Sequence, residues 1–434
     1  MTRKGPYYGW VVVAVAFLTT SAALGTHGSW GVLLLALVDA FGWGRGLTAG
    51  AISLHAVVWG LSATPWGALF DRYGPRPVFA AAAVLGGMGL ALAAATREPW
   101  QLYLSVGLLA GAGLAPLRTN SQSVVIANWF RRRRGLAVGI VAAGNGLGVL
   151  VMAPFTQWLV SQAGWQAAFL ALGGLFVLGV APLNALLQRG RPEELGLLPD
   201  GARALDPAAF VGGHPGPAAG PTVAVALRSG RFWALAVGFV LGAIPLQFLL
   251  AHAVAYIVDV GFARATAAGI LGLGGAFTAV SMIMWGSLAD RWGSERAYLL
   301  GSLALMASIG VLYLLGPGRA ALLYVYALTF ALGFGSRQGL MAFMAAALLH
   351  GRSFGALMGI LAAHIALGSA IGPLVGGWLF DATGSYYPAF VVALASAAVS
   401  VGCIWLAAPR RGLVGRAAAL GAAPAPEPLP SRRV

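Results

Sequence analysis

The chain has 434 residues, of which 59% are hydrophobic and only 9% are charged. A soluble domain carries about 25% charged residues, so this composition excludes an ordinary soluble enzyme and indicates a protein that crosses a membrane many times. The net charge is +15, and the single cysteine, Cys403, excludes a disulfide framework and a cysteine-based zinc site.

Apolar runs long enough to cross a bilayer follow one another along the chain. A membrane-spanning helix needs about 20 mostly apolar residues. The first run follows Arg3 and Lys4, as in a signal peptide, but it is too long for one and predicts an uncleaved first helix. Twelve runs meet this length, and they cover approximately 8–37, 47–70, 77–96, 100–127, 135–160, 165–188, 229–258, 264–288, 297–316, 320–349, 354–380 and 385–408.

The basic residues are distributed unevenly between the two ends of these predicted helices. With the N-terminus in the cytoplasm, all but six of the Lys and Arg residues fall in cytoplasmic segments. This asymmetry predicts a multi-pass protein of the cell (inner) membrane with both termini cytoplasmic, and it explains the positive charge by topology rather than by nucleic-acid binding. The six exceptions are Arg45, Arg97, Arg264 and Arg319 on the other side, and Arg118 and Arg337 within predicted helices.

Two polar segments divide the chain. Residues 189–228 are rich in Gly, Ala and Pro and lack a long apolar run, which is typical of a flexible linker. They separate an N-terminal six-helix half, residues 1–188, from a C-terminal six-helix half, residues 229–408. Residues 409–434 are predicted to form a disordered cytoplasmic tail, and the linker is predicted to be cytoplasmic as well.

The two halves repeat one another. The segment GALFDRYGPR, residues 67–76, matches GSLADRWGSER, residues 286–296, and Arg118 of predicted helix 4 matches Arg337 of predicted helix 10 at the same offset. Two six-helix halves in parallel repeat, joined by a linker, are typical of a secondary transporter in which one half moves against the other. The predicted fold is therefore an all-α membrane protein with twelve transmembrane helices in two pseudo-symmetric halves.

The repeated segment also carries a resemblance to a known family. The pattern G-x-x-x-D-R-x-G-x-R after predicted helix 2, echoed after helix 8, resembles the loop motif of the major facilitator superfamily. Within that superfamily the chain resembles the monocarboxylate transporter and oxalate–formate antiporter group. This resemblance covers residues 6–408 and implies the major facilitator fold, a small organic anion as substrate, and protons as a second coupled species. The segments that carry it are YYGW (7–10), HGSWGV (27–32), WFRRRRGLAVGIVAAGNGLG (129–148), HAVAYIVDVG (252–261) and GSAIGPLVGGWLFD (368–381).

Two positions depart from that group. His27 stands where the group often has an acidic residue before Gly-Ser-Trp in helix 1. Met282 stands where the group has an arginine in helix 8, and that arginine resembles its main carboxylate ligand. A monocarboxylate substrate therefore does not follow from these two positions, and other residues must recognise the ligand.

The candidate substrate residues are polar side chains on the helices that the resemblance places around a central cavity. No acidic residue lies near the middle of a predicted helix, so Arg118 and Arg337 are the only permanent charges there. A charge within the membrane normally faces a cavity or a partner, and an unpaired pair of guanidinium groups favours a carboxylate ligand. The alternative is that each arginine bonds helix carbonyl groups or extends its charged end to water. The further candidates for substrate contact are His27, His252, His364, Asn120 and Asn145.

The repeated loop motif indicates a second group of functional residues. An aspartate near a helix end, together with an arginine that reaches the other half, can form a contact that breaks during rocking. These side chains are therefore predicted to be conformational latches rather than ligands. They are Asp71, Arg72 and Arg76 in the first half and Asp290 and Arg291 in the second.

The leading hypothesis is thus a monomeric secondary active transporter of small organic anions, which works by exchange or with proton coupling. One alternative is an exporter of multiple drugs or hydrophobic compounds, although exporters of cations usually need an acidic residue within the membrane. A second alternative is a membrane receptor or assembly factor that does not transport. No motif indicates an enzyme, a cofactor site or a metal site, so none of these is predicted.

Overall fold

The computed structural model describes residues 7–201, 222–349 and 354–407, and all regular secondary structure within these ranges is helical. The first half begins with an apolar helix that continues across Ser29 with only a local bend. Its helices are α1 (Gly9–Gly28 with Trp30–Phe41), α2 (Arg45–Tyr73), α3 (Pro75–Ala93), α4 (Pro99–Trp129), and α5 and α6 (Arg134–Leu187, divided at Gly164).

The second half repeats this arrangement. Ten described helices are long and apolar enough to cross a membrane, and one of them, Arg134–Leu187, contains two spans; Ala321–Arg337 is a shorter apolar stretch. The prediction of an all-α membrane protein with twelve membrane helices is confirmed. The helices of the second half are α7 (Gly230–Asp259), α8 (Arg264–Trp292), α9 (Ser294–Tyr313), α10 (Ala321–Leu349), α11 (Phe354–Thr383) and α12 (Tyr387–Ala407).

Two glycines make equivalent turns in the two halves. Gly164 lies between α5 and α6 with a φ of 84°, and Gly384 lies between α11 and α12 with a φ of 69°. Side chains other than that of glycine are strained in this left-handed region. The two halves that repeat in the sequence therefore also share this turn, at Gly164 and at Gly384.

Each half has its own apolar core, and the halves meet along two helix pairs. Phe79 and Phe169 are buried in the first core, and Tyr326 is buried in the second. The main contacts between the halves join α2 to α11 and α5 to α8. Small residues allow the helices to approach closely, since a Cβ atom on Gly146 of α5 would collide with the carbonyl oxygen of Gly275 in α8.

The start of the predicted linker folds back onto the first half. Asp200 accepts the backbone N–H groups of Arg131 and Arg132 at 2.9 Å each, which fixes the loop between α4 and α5. The central part of the predicted linker, residues 202–221, lies outside the described residues. The predicted tail, residues 409–434, also lies outside them.

The halves are joined most closely at one end of the bundle, where residues 42–44 connect α1 to α2; we name this the sealed end. Arg45 of α2 pairs there with Asp259 of α7. At the opposite end, residues 61–73 of α2 are mostly exposed. The contacts of Arg45 therefore join the halves at the sealed end, whereas the end of α2 is largely uncovered at the opposite end.

Candidate functional site

Helix α4 is interrupted at Arg118. Pro116 has no N–H group, which leaves the carbonyl oxygen of Ala112 without its helical partner, and the indole Nε1 of Trp66 donates to that oxygen at 2.8 Å instead. The three residues before Arg118 form a 3₁₀ turn, and Arg118 itself is extended, with φ −89° and ψ 164°. A new helix begins at Thr119. The membrane span α4 thus consists of two helical parts that meet at the candidate arginine.

The guanidinium group of Arg118 lies over the ring of Trp59 in α2, with 4.4 Å between the guanidinium carbon and the ring centroid. The side chain is half-buried, and no acidic side chain in the described ranges pairs with it. His27 and His55 lie within electrostatic range of Arg118, and their two rings are 6.1 Å apart. The structure therefore places an unpaired guanidinium beside two histidines.

The helix that begins at Thr119 presents its N-terminus beside this guanidinium. The Arg118 side chain does not cap it, and its first helical hydrogen bond runs from the N–H of Gln122 to the carbonyl oxygen of Arg118. The N–H groups of residues 119–121 therefore have no partner within the helix. A helix N-terminus carries a partial positive charge and attracts anions. Arg118 and this helix end together form a candidate anion site.

The two predicted amide ligands differ in their surroundings. Asn145 of α5 is buried, and its Oδ1 accepts the hydroxyl of Thr119 at 2.8 Å. It therefore holds the second part of α4 against α5. Asn120 is exposed beside the same helix end. Of the two amides, Asn120 is the one whose position leaves it accessible to a ligand.

Arg337 in α10 has a different environment from Arg118. Its side chain is buried, with 2% of the residue exposed, and Nε donates to the carbonyl oxygen of Gly242 in α7 at 3.1 Å. Nη2 donates to the hydroxyl of Ser302 in α9 at 3.3 Å. No acidic side chain in the described ranges pairs with Arg337, and its bond to Gly242 corresponds to the alternative in which an arginine bonds a helix carbonyl group.

A small chamber lies between the halves, next to His27. Its volume is about 10 Å³, which is close to the space that one water molecule needs. Gln247 of α7 lines the opposite wall, and its Oε1 lies 3.4 Å from Nε2 of His27. Among the described residues, the indole N–H of Trp30 and Nδ1 of His27 are buried without a hydrogen-bond partner. The chamber therefore brings polar groups of both halves together.

His252 in α7 belongs to the sealed end and not to the Arg118 site. It is fully buried, with Nδ1 3.0 Å from the hydroxyl of Tyr386 and Nε2 2.8 Å from the carbonyl oxygen of Pro373. The same hydroxyl accepts a hydrogen bond from Nη1 of Arg45 at 2.9 Å. Burial raises the pKa of Tyr386, so its phenol keeps the proton that it donates. The structure thus connects His252 to Arg45.

His364 in α11 lies at a third location. Its Nδ1 is 2.8 Å from the carbonyl oxygen of Ile360 in the same helix, and its ring lies against Trp233 of α7. It lines an apolar groove of about 300 Å³ between α2 and α11. The three candidate histidines, His27, His252 and His364, therefore lie at three different locations. No group of three His, Cys, Asp or Glu side chains in the described ranges is arranged to hold a metal ion.

The predicted latch residues lie at the end opposite to the sealed end. Asp71, Arg72 and Arg291 are exposed, and Nε of Arg76 donates to a backbone carbonyl at the end of α6, within the first half. The side chain of Asp290 lies outside the described part of the chain. Where their side chains are described, these residues make no ion pair between the halves in this conformation.

A link between the halves that the sequence did not indicate lies at the sealed end. Asp381 of α11 accepts the N–H groups of Arg45 and Gly46 at 2.8 and 2.7 Å, which caps the first turn of α2 across the two halves. Asp259 accepts two hydrogen bonds from the guanidinium of Arg45. The sequence did show that Arg45 is one of few basic residues on its side of the membrane. It could not show which residue Arg45 pairs with, because that depends on how the helices pack.

Comparison with known proteins agrees with this architecture. The family pattern described as Major Facilitator Superfamily matches residues 15–356. The chain belongs to the major facilitator superfamily. Monocarboxylate transporter 13 of Bos taurus is 31% identical over 391 residues, which cover 89% of this chain and 86% of the relative. The predicted resemblance is confirmed, and membership of this superfamily identifies the chain as a transporter rather than an enzyme.

Solved structures of two transporters share the fold at low sequence identity. A bacterial homologue of the human lysosomal transporter Spinster, in an inward-facing and unoccupied conformation, matches with a TM-score of 0.65 and 16% identity, and the match covers 93% of this chain and 96% of that one. A mutant of the nucleoside transporter NupG matches with a TM-score of 0.67 and 12% identity, over 92% and 99% of the two chains. These likenesses support the fold alone.

Proposed function

We propose that this protein is a secondary active transporter that carries small organic anions by alternating access. The observation that carries the proposal is the unpaired guanidinium of Arg118 beside the free helix end at Thr119. An arginine within the membrane that lacks a carboxylate partner favours an anionic ligand, and its forked donors match a carboxylate. The relative named as a monocarboxylate transporter agrees with this chemistry.

Arg118 is the principal anion ligand in this proposal. The guanidinium lies over the ring of Trp59, and no described side chain pairs with its N–H donors, so they are available to a carboxylate. Asn120 at the helix end and His27 from α1 are the neighbouring polar contacts. Gln247 already reaches His27 from the other half, so the second half can close over an anion that is held by the first.

The site offers one available guanidinium group. Arg337 already donates to Gly242 and Ser302, so it can contact a substrate only in a conformation in which those bonds are broken. A single carboxylate per substrate therefore fits best. An exporter of hydrophobic cations is not favoured, because no acidic side chain is among the described residues that line the chamber between the halves.

We further propose that the protein is a monomer of the cell membrane with both termini in the cytoplasm, as the distribution of basic residues indicates. In that orientation the sealed end faces the outside, and the structure opens to the cytoplasm. A reporter enzyme that functions only in the cytoplasm, fused after Arg411, should be active. A reporter at the same position that functions only outside the cell would overturn the orientation if it were active.

The function should be tested by binding and by flux with the same protein preparation. A thermal-shift screen against carboxylates should find a stabilising ligand, because binding to the folded state raises Tm, and that carboxylate should enter proteoliposomes. Arg118→Gln should lose the stabilisation by the carboxylate and its uptake. Arg97→Gln, which changes an exposed arginine between α3 and α4, should keep the stabilisation and the uptake.

Each contrary outcome points to a different error. Uptake that survives Arg118→Gln would reject Arg118 as the anion ligand. Binding without uptake would favour a receptor over a transporter. A panel in which no carboxylate binds or crosses would reject the class of substrate.

A further inference from the structure

A continuous chain of hydrogen bonds runs through the sealed end from a carboxylate to a buried histidine. Asp259 accepts two bonds from the guanidinium of Arg45, and Nη1 of Arg45 also donates to the hydroxyl of Tyr386 at 2.9 Å. The hydroxyl lies 3.0 Å from Nδ1 of His252, whose Nε2 lies 2.8 Å from the carbonyl oxygen of Pro373. Arg45 is the one member of this chain from the first half, so the chain crosses the boundary between the halves twice, at Asp259–Arg45 and at Arg45–Tyr386.

The direction of every bond in this chain can be assigned. A carbonyl oxygen only accepts, so Nε2 of His252 carries a proton and donates it to Pro373. Arg45 only donates, so the oxygen of Tyr386 accepts from it, and the hydroxyl proton is then directed at Nδ1 of His252. Nδ1 is therefore an acceptor without a proton. The sealed conformation specifies a neutral His252 in one tautomer.

A second proton on His252 does not fit this arrangement. It would occupy Nδ1, where the only neighbouring hydrogen-bond group is a hydroxyl that already points its own proton there and accepts from Arg45. The carboxylate of Asp381 is engaged by backbone N–H groups of α2, and that of Asp259 by Arg45. In the sealed state the imidazolium N–H and the hydroxyl of Tyr386 would thus be two donors facing each other, and one of them would be without an acceptor.

The charged and titratable groups that face His252 come from several elements. Arg45 faces it from α2 in the first half, Asp381 lies on α11, and Tyr386 lies in the loop before α12. Asp259 and Tyr256 lie on α7 itself. Arg45 is the only cation among these groups and the only member that belongs to the first half. When the halves separate at this end, the cation leaves and both carboxylates stay with His252.

We propose that His252 is a proton-binding site and that its protonation opens the sealed end. This inference rests on the alternating access in the proposed function but not on the identity of the carried anion. The opened conformation removes Arg45 and releases Asp259 and Asp381, so it binds the proton more tightly than the sealed one does. A ligand shifts a conformational equilibrium by its difference in affinity for the two states, and here the ligand is the proton.

The test measures the separation of the halves at the sealed end without any substrate. Two exposed alanines there, Ala40 at the end of α1 and Ala320 before α10, are replaced by cysteine for spin labels in a Cys403→Ser background. Distances are then measured by pulsed electron paramagnetic resonance in lipid nanodiscs between about pH 8 and about pH 5, the range in which histidine titrates. The long-distance population should rise as the pH falls.

The size of the response follows from the difference in proton affinity. If the opened state binds the proton about tenfold more tightly, the ratio of open to sealed molecules rises up to about tenfold over the titration. His252→Gln cannot be charged but can still accept from Tyr386 and donate to Pro373, so it should stay sealed at both pH values. His364→Gln, which changes a histidine outside the network, should respond like the parent protein.

Tyr386→Phe provides an independent variant in case His252→Gln does not fold. Without the hydroxyl, Nδ1 loses its donor and Arg45 loses an acceptor, so the long-distance population should be larger at about pH 8 and should change less down to about pH 5. Equal distances at both pH values in the parent protein, or a full response in His252→Gln, would overturn the proposal. The distance measurement contains no anion, so its result is independent of the proposed function. A protein whose distances do not respond to pH can still transport carboxylates. A protein that transports no carboxylate can still open at low pH.

Discussion

Arg45 in the first half and Asp259 in the second are joined by two parallel hydrogen bonds of 2.5 and 2.8 Å. The guanidinium carbon of Arg45 also lies 3.8 Å from the centroid of the Phe380 ring. Bidentate pairs between arginine and a carboxylate are among the stronger polar contacts in proteins. In the proposed alternating access the halves separate at this end, so the strength of this pair would help to set the population of the sealed conformation.

Neutralising this pair should open the sealed end. With Asp259→Asn we expect a thiol reagent that cannot cross the membrane to reach a cysteine at Ser369, which lines the chamber, about tenfold faster, equivalent to about 1.4 kcal/mol. The matched control is Asp39→Asn, because the pair of Asp39 with Arg264 is exposed and such pairs contribute little. An equal effect of the two variants would contradict this view.

Arg118→Lys should lose most of its affinity for the carried anion although it keeps the charge. A lysine lacks the planar fork and does not stack on Trp59 in the same way. A hydrogen bond to a charged group contributes about 1.5–3 kcal/mol, so Kd from thermal-shift titrations should rise by about 10-fold to 100-fold. Arg97→Lys should bind like the parent protein. A Kd for Arg118→Lys within a factor of about three of the parent would show that charge alone is sufficient.

Arg337→Ala should destabilise the fold, in contrast to Arg118→Ala. The truncation removes the hydrogen bonds of Arg337 to the carbonyl oxygen of Gly242 and the hydroxyl of Ser302 and creates a cavity, which together cost about 2–5 kcal/mol. We expect a lower Tm and lower expression, measured in detergent beside the exposed control Arg291→Ala. An unchanged Tm combined with lost anion binding would instead restore Arg337 as a substrate ligand.

Exchange of anions should be faster than net uptake. The guanidinium of Arg118 cannot lose its proton, so closing an empty site buries an unpaired charge, while a bound carboxylate compensates it. Labelled carboxylate should therefore enter proteoliposomes faster when unlabelled carboxylate is inside. Equal initial rates with and without internal anion would show that the empty carrier returns freely and would favour proton symport.

Much of the fold could be predicted from the sequence because its signals are local. The length of an apolar run determines whether a helix can cross the bilayer, and the repeat of the GALFDRYGPR segment at 286–296 shows that two similar halves follow one another. Arg118 was identifiable for the same reason, since a charge in an apolar run needs a partner or a ligand. The break in α4 could have been suspected from Pro116, but its position beside Trp59 could not.

By itself, the sequence determined that the chain crosses the membrane in two related sets of helices, and it identified Arg118 as a charge that needs a counterpart. Only the tertiary structure decided which charged side chains have a hydrogen-bonding partner within the protein. Arg337 aligns with Arg118 in the repeat, yet it is satisfied by Gly242, while His252 lies in the network of Arg45 at the sealed end. The physical reason is that hydropathy and charge are properties of single residues along the chain. The choice of partner depends on how each helix is rotated about its axis and on which half it packs against.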